Sequence, residues 1–495
     1  MANEAPYVLS IDAGTTGITA MAFDLDLRPI GRSYAEFAQH FPNPGWVEHH
    51  AAEILAGLDD TMGAVLADLG RLPAAIGLTN QRETVFAVDG ATGKALGPGI
   101  VWQDRRTSSR CRELREAGHE PMIRRKSGLM LDPYFSASKM EWMLGNVPAV
   151  QAAAEQRSLR FVTVDALLTH HLTGGARWVT DVTNASRTML VDLSTPQAYD
   201  AELMELFGLE AWMLPEILPS AGHFGEALLS DGSAPITGVL GDQQAALFGQ
   251  GCWEPGSLKN TYGTGCFLLL NTGAQRVTSK AGLLTTVAAD RHGQPVFALE
   301  GSSFAGGTVI QWMRDQLGIL RDAEESEALA LSVEDTGGVV LVPAFAGLGS
   351  PHWDPDARAA IFGMTRGTGR AHVARAGLDA IAFQCMDLID AMRADSETPI
   401  LELLVDGGAA ANKYLMQRQA DLAGLTVRRP QNLDSTARGA AAIAAVGAGL
   451  LDDPGLAGAF QDERDVFTPA GSPAELAEDK ERWQAAIQKV LTVRD

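Results

Sequence analysis

Three short stretches follow apolar runs and combine glycines with threonine or aspartate: Asp12-Ala-Gly-Thr-Thr16, Thr261-Tyr-Gly-Thr-Gly265 and Asp406-Gly-Gly-Ala-Ala-Ala-Asn412. Such a turn can aim backbone N–H groups and hydroxyls at a phosphate, and Asp12 stands where a carboxylate could hold a hydrated Mg²⁺. The third turn leads into a helix, where close backbone approach can hold a nucleotide. Any one of them alone is more simply an ordinary hairpin or left-handed turn. Three in this order, divided between two halves of the chain, point to an ATP-binding cleft.

A second set has the chemistry of a polyol site. Asn80-Gln-Arg-Glu83 follows a buried strand, so that Arg82 offers several fixed donors and Glu83 an acceptor to hydroxyl groups; a surface ion pair is the plainer alternative. Tyr134, Trp102 and Phe267 are either core aromatics or apolar walls against carbon–hydrogen faces. Asp242, in Gly238-Val-Leu-Gly-Asp-Gln-Gln244, directly follows an apolar run and precedes a helix expected over 243–248. It reads as a helix N-cap and, equally, as a strand-end carboxylate over a cleft. The common nucleotide signatures G-x-x-x-x-G-K-[ST] and G-x-G-x-x-G are absent, as is H-E-x-x-H.

The elements that must carry these residues alternate between strand and helix, which makes the class α/β. Strands are expected over 7–11, 18–23, 30–37, 74–78 and 84–88, with the first two joined as a hairpin and an amphipathic helix over 47–69. The plan repeats after about residue 255, with extended runs over 257–270, a strand over 401–405 and a helix over 411–422. The turn cluster Trp253-Glu-Pro-Gly-Ser257 separates the halves. The expected division is 6–251, 257–449 and a helical tail, 450–495. Two similar halves facing one another would create a ligand cleft.

Composition bounds the partners. The chain has 495 residues, enough for two large domains at about 100–200 residues each, and 46% are hydrophobic. Lys+Arg 39 against Asp+Glu 61 gives a net charge of −22, which argues against a nucleic-acid footprint. Cys111, Cys252, Cys266 and Cys385 form no C-x-x-C, against a thiolate zinc site. The opening residues lack a basic stretch and Asp12 interrupts the first apolar run, so no secretory leader is expected. The longest uncharged run, 18 residues over 336–353, is broken by glycines and prolines, so no membrane insertion is expected either.

Together these residues resemble the FGGY carbohydrate kinases of the actin-like/sugar-kinase superfamily, over nearly the whole chain from Tyr7 to about Gly449. The resemblance rests on Pro44-Gly-Trp-Val-Glu48, Thr79-Asn-Gln-Arg-Glu-Thr84, Val101-Trp-Gln-Asp-Arg-Arg-Thr107, Thr180-Asp-Val-Thr-Asn-Ala-Ser-Arg-Thr-Met189, Gly241-Asp-Gln-Gln-Ala-Ala-Leu-Phe-Gly249, Asn260-Thr-Tyr-Gly-Thr-Gly-Cys-Phe267 and Gly347-Leu-Gly-Ser-Pro-His-Trp-Asp354. The Arg-Glu, Trp, Tyr, Asp-Gln and Phe positions match the members that act on glycerol.

The resemblance implies two actin-like (ribonuclease H-like) domains with an active-site cleft between them, and ATP-dependent phosphorylation of glycerol to sn-glycerol 3-phosphate, the first step of glycerol catabolism. By that match Arg82, Glu83, Trp102, Tyr134, Asp242, Gln243 and Phe267 form the glycerol site, with Asp242 the general base. Thr15, Thr16, Thr264, Gly307, Gln311, Gly408, Ala409 and Asn412 line the nucleotide site, and Mg²⁺ sits near Asp12 through water. A cytoplasmic homodimer or homotetramer is the implied setting. Two positions depart from the pattern. The first phosphate turn usually continues into an arginine that reaches the nucleotide phosphates; here Thr19 occupies that place and no Lys or Arg precedes Arg28. A charge-assisted hydrogen bond contributes about 1.5–3 kcal/mol, so a weaker hold on the nucleotide is expected. His352 stands where tyrosine is common.

Overall fold

In the computed structural model of the chain, the structure describes residues 5–354, 356–431, 434–460 and 464–492. The first four residues, which enter the leader reading, and 461–463 and 493–495 of the expected tail lie outside the described residues.

Two sheets organise the molecule. The first runs in the order Ala221–Leu229, Gly232–Gly241, Ala75–Asn80, Val8–Ala13, Gly17–Phe23, Pro29–Glu36. Its three central strands are parallel, with Asp12 opposite Thr79 and Gly241 opposite Asn80, so their C-terminal ends lie side by side. Strands buried on both faces read as continuous apolar runs, which is why Val8–Ala13 and Ala75–Asn80 carry so few polar residues. The second sheet runs Leu284–Ala289, Pro295–Ser303, Cys266–Gly273, Leu258–Tyr262, Leu403–Asp406, Val427–Pro430, Arg464–Phe467, with Thr261 in parallel register opposite Asp406. The expected hairpin at the start of each half is present, formed by Val8–Ala13 with Gly17–Phe23 and by Leu258–Tyr262 with Cys266–Gly273. A third layer beside the first sheet joins Glu48–His49, Gly99–Ile100, Val85–Asp89 and Leu159–Thr163 to helices including Ser136–Asn146, and its apolar core includes Tyr134.

Where element ends differ from the sequence reading, a tertiary contact decides. The helix expected from residue 47 begins at Ala51, because Glu48 and His49 pair with Ile100 and Gly99 and the Val47 N–H donates to Asp104 at 2.6 Å. The strand expected to stop at residue 78 continues to Asn80, whose side-chain amide exchanges hydrogen bonds with that of Asn184. The helix expected from 411 starts as a 3₁₀ turn, Gly408–Ala411, and becomes α-helical at Lys413 with Asn412 as its N-cap. The tail expected to be helical also contributes the edge strand Arg464–Phe467. Its helix Pro473–Val490 docks through the buried Trp483, stacked on Phe383 at 5.2 Å.

Helix Ser435–Gly447 ties the halves together. It follows strand Val427–Pro430 of the second sheet in sequence yet lies against the strands of the first and against helix Asp242–Gly249. Its residues, Ser-Thr-Ala-Arg-Gly-Ala-Ala-Ala-Ile-Ala-Ala-Val-Gly, are almost all small, and backbones meet directly. A Cβ on Gly439 would stand 1.9 Å from the Ala245 carbonyl oxygen, and one on Gly249 would stand 1.9 Å from that of Ser435. Overpacking such a contact costs about 1–3 kcal/mol. By contrast, Gly63 is exposed inside helix Ala51–Leu69 with open space around it. Gly439→Ala is therefore expected to lower the urea midpoint by about that energy, while Gly63→Ala raises stability by about 0.5–1 kcal/mol. Equal responses of the two variants in equilibrium unfolding would contradict the close helix contact.

Candidate active site

The parallel register of the first sheet delivers four acidic or basic groups to one edge. Asp12 ends the first strand; Arg82 and Glu83 follow the strand Ala75–Asn80; Asp242 follows Gly232–Gly241. Asp242 is the first residue of helix Asp242–Gly249, not its N-cap, which is Gly241; the carboxylate accepts from the Gln243 N–H at 2.7 Å and remains about 30% exposed toward the cleft. Glu83 sits at φ +64°, a left-handed conformation rarely held by a non-glycine residue and concentrated at functional sites.

Arg82 is not a surface ion pair. Its side chain is 2% exposed, lies across Gly241 so closely that a Cβ there would be 2.7 Å from its Cγ, and reaches Asp242 at 3.2 Å through Nε. Its two terminal nitrogens clasp Glu300, at 2.6 and 3.1 Å, and Nη1 also donates to Gln244 Oε1. Arg187 donates through Nε to Glu83 Oε1 at 2.6 Å and through Nη2 to Glu300 Oε1 at 2.9 Å. No protein donor reaches Glu83 Oε2 among the described residues, which leaves an acceptor for an incoming hydroxyl.

Aromatic rings wall this cluster. Trp102 lies with its ring centroid 5.6 Å from Tyr134 and 6.4 Å from Phe267, the latter contributed by the second sheet. The indole Nε1–H donates to Thr15 Oγ1 at 3.0 Å, linking the aromatic wall to the first phosphate turn. Gln243 accepts from the buried Lys259 ammonium at 2.5 Å. All seven residues expected at the glycerol site thus converge on one end of the first sheet.

Burial sets the electrostatics. Desolvation raises the Asp242 carboxyl above its ordinary value, and Arg82, the Gln243 N–H and Lys259 offset part of the rise. Burial likewise raises Glu83, against Arg187 and Arg82. Asp12 is pushed up to about 7, by burial first and then by Asp242 and Asp434. Lys259 is lowered to about 8 by burial, despite Asp406 and Asp242. Glu300 goes the other way: burial would raise it, but Arg187 and Arg82 bring it down to about 2.

Of the residues expected around the nucleotide, Thr264, Gly307, Gln311, Gly408, Ala409 and Asn412 fall into turns and helix starts of the second half. The Gly306 N–H donates to the Thr264 carbonyl at 2.9 Å and the Gly307 N–H to that of Gly263 at 2.8 Å; Gly307 opens helix Gly307–Asp315, which carries Gln311. Gly407, at φ +86°, lets the Asp406 turn run against Tyr262, where a Cβ would be 2.6 Å from the Tyr262 carbonyl oxygen. A Cβ on the next residue, Gly408, would meet nothing within 4 Å, so the backbone there is open to a ligand. Ala409 continues that turn, and the Asn412 side chain is already engaged, capping Leu415 and donating to Ser326. Thr15 and the exposed Thr16 lie in the turn between the first two strands.

Asp12 makes no side-chain hydrogen bond to the described residues. A half-buried carboxylate beside two others and without a donor is short of positive charge, and a hydrated Mg²⁺ fits that deficit. Among the described residues no group of three or more His, Cys, Asp or Glu is arranged to hold a metal ion. An ion at Asp12 would therefore take most of its ligands from water and phosphates, the usual habit of Mg²⁺.

Arg187, Glu300, Lys259 and Gln244 escaped the sequence reading. Glu300 had a signal, a lone charge in the apolar strand Pro295–Ser303; Arg187 and Lys259 had none beyond membership of, or adjacency to, a long motif. Other motif residues are scaffold: Arg106 bridges Glu48 and Asp104 at 2.8 Å and lies 3.7 Å over the Trp46 ring. Nε2 of His352 is buried without a hydrogen-bond partner, and nothing connects it to the site.

Fold and site define a phosphotransferase cleft between two related α/β halves, and residues 7–249 and 258–448 match the N-terminal and C-terminal domains of the FGGY family of carbohydrate kinases. The chain belongs to that family. It is 50% identical to a glycerol kinase of Aromatoleum aromaticum, with 98% of each chain covered, and 48% identical to one of Halorhodospira halophila, with 98% and 96% covered. Among solved structures it resembles glycerol kinase of Plasmodium falciparum with ADP, at TM-score 0.92, 33% identity and 99% coverage of both chains. No helix among the described residues is long and apolar enough to cross a membrane.

Thr19 lies directly opposite Asp12 in antiparallel register, so both side chains leave the same face. Thr19→Arg is expected to lower the KM for ATP severalfold by adding a cation beside Asp12 and the phosphates. Initial rates at varied ATP check this, and an unchanged KM and kcat would mean that the turn already has its full complement of charge.

Proposed function

We infer that this protein is an ATP-dependent kinase that phosphorylates glycerol to sn-glycerol 3-phosphate. The observation that carries the reading is the Asp242–Arg82–Glu83 set, walled by Trp102, Tyr134 and Phe267, at the end of parallel strands that also bear Asp12. Its likeness over nearly full length to glycerol kinases about half identical in sequence supports the same acceptor.

Arg82 and Glu83 receive the hydroxyls of the polyol, and the three rings exclude water from its carbon face. A primary alcohol is a poor nucleophile; the Asp242 carboxylate, partly open to the cleft, accepts its proton as the bond to the γ-phosphorus forms, with in-line departure of ADP. A positioned base contributes about 10²–10⁴-fold. The remaining acceleration comes from alignment and charge neutralisation, for which the turns at Thr15–Thr16, Thr264–Gly265 and Gly408–Ala409, together with Gly307, Gln311 and Asn412, hold the nucleotide. Asp12 would hold Mg²⁺ through water, and the ion would supply charge neutralisation on the phosphates. Other parts of the reading are a cytoplasmic homodimer or homotetramer and the absence of nucleic-acid partners.

Asp242→Asn is expected to fold and bind glycerol but lose about 10²-fold or more in kcat. Because the Asp242 carboxyl is raised, the wild-type base is protonated, and activity lost, as pH falls through a value above the ordinary carboxylate range. A pH–rate profile flat down to pH 4, or a near wild-type Asn variant, would remove Asp242 from this role. Coupled ADP release measured against a panel of polyols and sugars tests the acceptor: glycerol should give the highest kcat/KM, and preference for a pentose or hexose would overturn the assignment.

A further inference from the structure

The hydroxyl-binding pair Arg82 and Glu83 does not stand by itself. Both belong to the first half of the chain, and both are fixed by a third carboxylate, Glu300, delivered by strand Pro295–Ser303 of the second sheet. Glu300 is fully buried and makes three charge-assisted hydrogen bonds: two from the Arg82 fork, at 2.6 and 3.1 Å, and one from Arg187, at 2.9 Å. Arg187 in turn holds Glu83 at 2.6 Å.

We propose that Glu300, acting with Arg187, is the positioning residue of the acceptor site, orienting Arg82 and Glu83 for the polyol hydroxyls from the opposite domain. The inference rests on the glycerol reading given above and assigns the residues that make the site selective and rigid.

The geometry argues for positioning over simple ballast. A carboxylate that accepts both prongs of one guanidinium fixes its plane, because the fork is rigid and the donors diverge by set angles. Once Nη1 and Nη2 are committed to Glu300, Arg82 presents only its Nε edge to Asp242 and the cleft. Arg187 uses the same device on Glu83: it occupies Oε1 and leaves Oε2 for a ligand. Two guanidiniums side by side repel, and Glu300 is the group that both of them bind. The surroundings are fixed as well. The Gln244 amide, which accepts from Arg82, donates to the Val287 carbonyl at 3.0 Å, and Ser186 meets Thr286 at 3.1 Å, so the strand next to Glu300 is bound to the first half. Misplacement of a binding group by an ångström costs orders of magnitude in rate. The hydrogen-bond partners of Glu300, Arg82 and Arg187, lie outside the nucleotide turns, so its loss should register mainly on one substrate.

The test compares wild type, Glu300→Gln, Glu300→Asp and Arg187→Lys in initial-rate kinetics, with glycerol varied at saturating ATP and ATP varied at saturating glycerol. Thermal unfolding is measured for each. Glu300→Gln should raise the KM for glycerol at least tenfold and leave the KM for ATP within twofold. Glu300→Asp, which keeps the charge, should recover part of the loss, and Arg187→Lys, which keeps charge but loses the fork, should raise the glycerol KM severalfold. A folded Glu300→Gln enzyme with unchanged glycerol KM, or with both constants raised equally, overturns the proposal. If that variant does not fold, the same criterion applied to the other two decides, and failure of all three to fold assigns Glu300 to stability alone and overturns it. A wild-type enzyme without glycerol-dependent ADP release overturns the acceptor reading and this inference with it, whereas an active wild type beside unaffected variants overturns this inference only.

Discussion

Uncompensated charge cannot be buried, and the centre of this protein is a group of buried or half-buried charges that compensate one another. Arg82, Arg187 and Lys259 face Glu83, Glu300 and Asp242, three cations against three anions, with the groups drawn from both halves of the chain. Each ion removed from water costs several kcal/mol, and attraction offsets that cost only where geometry is good and spare donors are satisfied. Both sheets must therefore be in place before either set of charges is tolerable. A cluster of apolar side chains could fill the same volume at comparable stability. What charges provide instead is direction: forks and carboxylates have fixed angles, and those angles become the angles of the binding site.

The demand for direction propagates into the backbone. Three parallel strands bring Asp12, Asn80 and Gly241 to one level, and the turn after each must expose a side chain while its backbone stays paired. Glu83 takes a left-handed conformation to do so, and Gly241 gives up its side chain to the Arg82 stem. The small-residue helix Ser435–Gly447 makes the same trade on a larger scale. It closes the far side of the strands at backbone contact, so the two halves share a rigid spine, not a soft core.

Much of this was readable in the sequence. The hairpin and Gly/Thr turns opening each half announce themselves through local composition, whereas Trp102, Tyr134 and Phe267 read equally as core and were assigned to the site through family motifs. Element ends were less readable: where the helix begins at Ala51 depends on Glu48 pairing with Ile100, a contact fifty residues away. The identity of the partners of Arg82 and Glu83 was not readable at all. Glu300 lies 218 residues beyond Arg82, and nothing in the spacing of one sequence says that they meet. The Arg-Glu pair looked self-contained because adjacent opposite charges usually are; in the fold they stand 3.8 Å apart and each is tied to a different arginine–carboxylate contact.

A protein of net charge −22 that handles a nucleoside triphosphate must keep its own acids from repelling the substrate. Burial, and after it the carboxylates of Asp242 and Asp434, raise the proton affinity of Asp12. Arg82, the Gln243 N–H and Lys259 offset part of the cost of burial at Asp242, whereas no donor among the described residues reaches Asp12, whose carboxyl is pushed up to about 7. Asp12 would hold a hydrated Mg²⁺ through water, and such an ion would supply the positive charge that this side of the cleft lacks. With threonine at position 19 and no Lys or Arg before Arg28, the first phosphate turn brings no cation of its own, so backbone N–H groups and hydroxyls are what it can offer an anion.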